Sequence, residues 1–108
     1  MNTDTSDLYL VYVRMTQVLI KEFEHSKFNS RHNYQEYLYQ HYINYKAMDT
    51  LNSFIIHINK ELKNIFGFKD SEITSLLTTF FTEKKYKELW DISETYNLIE
   101  KLENILYL

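Results

Sequence analysis

Glu22 and His25 stand three residues apart. On a helix this E-x-x-H spacing sets a carboxylate and an imidazole on one face, the arrangement that helical di-iron sites use in pairs. No second copy is present, because none of His32, His41 and His57 has a glutamate three residues before it. His57 and Glu61 lie one turn apart and offer two ligands at most, short of the four a closed metal site takes. His41 falls among apolar helix positions and suits a hydrogen-bonded core histidine better than a ligand. The chain has no cysteine, so a thiolate ligand, a thiol nucleophile and a disulfide are all excluded. None of Ser26, Ser30, Ser53, Ser71, Ser75 and Ser93 sits in a nucleophile motif. Gly67 is the single glycine, which rules out a glycine-rich phosphate loop. The pairs Glu22/Glu24 and Glu100/Glu103 read as solvated helix faces. A non-catalytic protein without metal or cofactor is expected.

The other conspicuous stretch is HNYQEYLYQHYINYK, residues 32–46, with five tyrosines and two histidines. Aromatic side chains stack bases in single-strand binders, where a basic groove also tracks the phosphates. This segment offers only His32, His41 and Lys46 beside Glu36, and the formal net charge of the chain is −3. Nucleic acid is therefore not an expected partner. The negative charge is concentrated late. Residues 70–108 carry eight acids against four bases, whereas residues 1–33 balance four against four. The residue usage (no proline, one glycine, many Asn, Ile, Lys, Tyr and Phe) is what AT-rich codons encode, so part of the tyrosine count is a matter of composition.

The elements that must position these residues read as helices throughout. A chain of 108 residues fits one domain, 1–108. With so few breakers, helices joined by short polar turns are expected. The first spans about Asp7 to His25, with Leu8, Val11, Tyr12, Met15, Val18, Leu19 and Phe23 on a stripe, and Leu10, Val13 and Ile20 off it, so it is covered on more than one side. After the polar stretch 26–33, Asn33 and Glu36 have capping-box spacing, and Gly67 stands where a left-handed C-terminal cap belongs. Between them one long central helix is expected over about 33–66, with a break near 49–50 as the alternative. No proline or glycine there compels a kink. Tyr34, Leu38, His41, Tyr45 and Met48 share one face of it, and Tyr39, Ile43, Ala47, Thr50 and Phe54 lie nearly opposite. Asp70 or Ser71 caps a further helix carrying Ile73, Leu76, Leu77, Phe80 and Phe81. After the lysine-rich turn 83–87, Leu89, Ile92, Tyr96, Ile99, Leu102 and Leu106 face one way, and Asp91 with Glu94 would cap a restart. The run Ile105–Leu108 is apolar, which calls for docking onto the core or onto a partner.

The expected architecture is thus an all-α single-domain bundle of four or five helices. The longest apolar run, Leu8–Val13, is too short to cross a bilayer, and the polar start MNTDTSD is unlike a signal peptide; the expected location is the cytoplasm. The expected function is protein–protein interaction, by occluding or scaffolding another protein or by pairing with a second copy. Tyr39, Ile43, Ala47 and Phe54 are the expected partner-binding residues, since the lone alanine would let another helix approach closely. In size, helical character and residue usage the chain is similar in class to bacteriocin immunity proteins and to small phage or mobile-element inhibitors of low-GC bacteria, although no motif ties it to any of them. A helix-turn-helix regulator is a further alternative. It rests on two short helical patterns flanking the lysine turn, the second of which turns acidic at Glu88, Asp91 and Glu94.

Overall fold

With proline absent, the chain must end its helices by polar turns and by its one glycine. The computed structural model describes residues 5–44 and 52–107, and the side chains of residues 8–40 and 54–107. Within them run five helices: α1 (Thr5–Glu24), α2 (Arg31–Asn44), α3 (Asn52–Asn64), α4 (Asp70–Thr82) and α5 (Lys85–Leu106). The all-α bundle is as expected, and there is no strand among the described residues. Whether α2 and α3 form one continuous helix, or break near 49–50, turns on residues 45–51, which lie outside the described ones.

Several boundaries differ from those expected, each for a local reason. The Ser30 hydroxyl accepts from the Asn33 N–H (3.3 Å) and the Ser30 carbonyl accepts from the Tyr34 N–H (3.0 Å). Ser30 is therefore the cap of α2, and Asn33 sits inside its first turn. Helix α4 begins after Lys69, whose N–H donates to the Glu72 carboxylate (2.9 Å); the acid three residues in, rather than Asp70 or Ser71, satisfies that orphan donor. Helix α5 runs unbroken through Asp91 and Glu94. Gly67 does take the left-handed conformation (φ +73°) after α3, and the Phe68 N–H donates back to the Leu62 carbonyl (2.9 Å). Ile65 lies past the end of α3 and is exposed.

The most enclosed element is α1. From Val11 to Ile20 only Tyr12 and Arg14 retain appreciable exposure, so the off-stripe Val13 and Ile20 are indeed covered. Around it, aromatic side chains join the helices in two clusters. Phe80 is the hub of one, with ring centroids 6.2 Å from Tyr12, 6.3 Å from Phe54, 5.2 Å from Phe81 and 5.5 Å from Tyr86. The other gathers Phe23, Tyr34 and Trp90, with Phe23 5.0 Å from Tyr34 and 5.6 Å from Trp90. Tyr34 is 5 % exposed, and burial raises its phenol pKa. The first tyrosine of the 32–46 segment is a wall of the core. Its edge-to-face and tilted contacts are the arrangements aromatic quadrupoles favour.

The α1–α5 seam is built differently. Gln17 Nε2 donates to Asn97 Oδ1 (3.2 Å) and to Glu100 Oε1 (3.3 Å), while Asn97 Nδ2 donates to the Gln17 carbonyl (3.3 Å). Ser93 Oγ donates to the Val13 carbonyl (3.3 Å). These buried polar groups satisfy one another, as burial demands. They also fix the rotation of α5 about its axis, because only one face of that helix carries Ser93 and Asn97.

Candidate functional site

Of the residues first singled out for chemistry, His25, His57 and Glu61 make structural hydrogen bonds, and the side chain of His41 lies outside the described residues. His25 Nδ1 lies 2.8 Å from the Lys21 carbonyl, one turn back on its own helix. Glu61 does sit beside His57 (3.1 Å), but both of its oxygens accept from Arg14: Nε at 2.9 Å and a terminal nitrogen at 2.6 Å. That two-pronged pair clips α3 to α1, and the guanidinium holds the Glu61 carboxyl below its usual range. Among the described residues no three His, Asp or Glu side chains gather as a metal ion would need. The lysines at the α4–α5 turn and in the first turn of α5 face acids of the same chain. Lys84 and Lys87 approach Glu36 (3.8 and 3.4 Å), and Lys85 approaches Glu83 (3.5 Å).

Of the expected partner-binding residues, only Tyr39 and Phe54 have side chains among the described residues. Phe54 is 1 % exposed and packed against Phe80 and Phe81, so it serves the core and offers no anchor. The half-buried Tyr39 ring carries the Lys84 ammonium 4.2 Å from its centroid. The side chain of Ile43, and Ala47 altogether, lie outside the described residues.

An apolar face does stand uncovered, on α5. Its buried side is formed by Tyr86, Leu89, Trp90, Ser93 and Asn97. A turn of about 100° per residue then carries Ile92, Leu102 and Leu106 away from α1, while Tyr96 and Ile99 flank the α1–α5 seam. In chain order these residues are 39 %, 42 %, 43 %, 50 % and 77 % exposed. These residues were expected to face one way together with Leu89; Leu89 is buried with Trp90, whereas the other five are exposed. Leu10 of α1, 54 % exposed, extends the patch. Together with Val13, Gln17, Tyr96, Ile99, Glu100 and Glu103 it lines a groove of about 420 Å³ along the seam. Ile56 and Ile65 on the α3 side are exposed as scattered residues, an ordinary condition, whereas a row at helical spacing is not.

The helix that carries this face is also acidic, with Glu88 and Glu103 within the apolar row itself. From Glu88 onward α5 carries Glu88, Asp91, Glu94, Glu100 and Glu103 against the single base Lys101. Asp91 pairs with Arg31 (2.7 Å), Glu94 accepts from the Trp90 indole (2.8 Å) and Glu100 lies 3.6 Å from Lys21. The Glu103 side chain has no hydrogen bond or ion pair among the described residues, although it stands at the groove. The last-turn carbonyls of α5 add to the negative potential there.

No family model, curated protein or solved structure matches this chain. No helix among the described residues is long and apolar enough to cross a membrane. What the α5 face does must be argued from its own residues.

Proposed function

We propose that the protein is a non-catalytic binding module that captures another protein on the outward face of α5 and acts by occluding or scaffolding it. The row Ile92, Tyr96, Ile99, Leu102 and Leu106, between 39 % and 77 % exposed, carries this reading. Contiguous apolar surface of this kind is an aggregation liability unless something covers it. Its spacing matches the helix-in-groove mode, in which side chains at i, i+3/i+4 and i+7 act as anchors. Tyr96, amphipathic and near the middle of the row, has the character of a hot-spot residue. Photo-crosslinking in cells that express the protein tests this. A benzophenone amino acid at Leu102 is expected to give a discrete adduct that Ile99→Asp abolishes, while the same group at the exposed Thr78 of α4 gives none. Adducts at Thr78 alone, or at neither position, would overturn the reading.

A further inference from the structure

Resting on that reading, the charge and shape of the same face define its occupant. We infer that it takes a basic amphipathic helix, apolar along one side and flanked by lysine or arginine. The decisive residue is Glu103. Eleven residues after Ile92, it returns to within about 20° of it on the helix projection, so a carboxylate sits inside the apolar row. A purely apolar partner would bury that charge without a counter-charge, which is strongly disfavoured. A cationic side chain laid over the row removes the penalty. The groove suits such a side chain: Leu10, Val13, Tyr96 and Ile99 supply apolar walls for the stem of a lysine or arginine, and Glu103 stands at the groove to meet its head. The wider field agrees, with five carboxylates to one lysine from Glu88 onward. A second copy of the chain would bring Glu88 and Glu103, the two acids within the row, against the same pair, and like charges across an interface are selected against.

The row from Ile92 to Leu106 spans about 21 Å at 1.5 Å per residue, so a peptide of about 15 residues covers it. A fluorescein-labelled peptide of Leu, Ala and Lys, patterned with leucines at i, i+3/i+4 and i+7 and lysines flanking them, is titrated against the intact protein by anisotropy. Saturable binding is expected, weakening as salt is raised. Loss of one part-desolvated ion pair, roughly tenfold in affinity, is the expected effect of Glu103→Gln. Replacing the peptide lysines by glutamate should abolish binding. Equal binding of the glutamate peptide, or no effect of Glu103→Gln on the lysine peptide, would overturn the basic-partner inference. Sedimentation of the protein alone to a dimer that Leu102→Glu dissolves would also overturn it, and would assign the face to a second copy. Failure of the broader reading is distinct, since it would show as absence of the Leu102 crosslink in cells.

Discussion

Trp90 and Ile99 lie on one helix, and truncating each to alanine tests which side of α5 holds the fold together. Trp90 is fully buried, edge-on to Phe23 and Tyr34, with the Arg31 guanidinium 5.4 Å from its ring centroid. Trp90→Ala removes the largest side chain in the core and leaves a void that backbone on three helices cannot collapse into, at a cost of about 3–5 kcal/mol. The indole's hydrogen bond adds little, because Glu94 is exposed and turns to water. At about 4 °C per kcal/mol for a chain of this size, Tm should fall by roughly 15 °C. For Ile99 the sum is different. Complete burial of an isoleucine is worth about 1.5–3 kcal/mol, yet Ile99 keeps 43 % of its surface exposed, so only about half is at stake. Alanine also returns about 0.4 kcal/mol of helix propensity. The net cost should be about 0.5–1 kcal/mol, or roughly 3 °C. Because Trp90 is the only tryptophan, unfolding should be followed by far-ultraviolet circular dichroism rather than indole fluorescence. If Ile99→Ala proves as damaging as Trp90→Ala, α5 presents the Ile92–Leu106 row inward, and the proposed surface does not exist.

Three further outcomes are expected. The Glu61 carboxyl is held low chiefly by its hydrogen bonds from Arg14, so its contribution is present above the ordinary carboxyl range and is lost as pH falls below about 4.5; Glu61→Gln should lower stability at pH 7 by about 1–2 kcal/mol and flatten the acid limb of a stability–pH curve, and an unchanged acid limb would refute the clip. The Tyr34 and Tyr86 phenols are raised by burial, so the unfolded chain ionises first; stability should be full below pH 10 and fall as pH rises above it, less steeply in Tyr34→Phe, with tyrosinate absorbance showing these groups ionising only on unfolding. Nothing lies within 4 Å of a Cβ built at Gly67, whose φ is +73°, so Gly67→Ala should cost only the conformational penalty of about 1–2 kcal/mol, and Gly67→Asn less, in urea melts.

Much of the core was legible because its residues obey one period within one helix. Ile73, Leu76, Leu77, Phe80 and Phe81 recur at helical steps, and all five are buried; Tyr34 and Leu38 do the same on α2. The projection fails where phase must be carried further. Placing Phe54 on a stripe with Tyr39 assumes one unbroken turn count across residues 45–51, and on α3 Phe54 instead keeps step with Ile58 and Leu62, all buried. The orientation of α5 was hidden for another reason. A hydrophobic count favours Ile92, Tyr96, Ile99, Leu102 and Leu106, whereas the helix turns Ser93 and Asn97 inward to meet backbone carbonyls and Gln17 of α1. The signal that decides it is the acid within the apolar row. On the projection Glu88 and Glu103 fall within about 40° of Ile92, so turning that row onto α1 would bury two carboxylates, each at a cost of several kcal/mol. It would also orphan Gln17. The face on the Tyr86–Asn97 side carries no charged residue over that span except at its edges, and its polar groups pair with one another. The apolar row of α5 therefore stays outside because the acids within it would be costly to bury against α1, so the charge on this helix and its exposed leucines and isoleucines have one explanation.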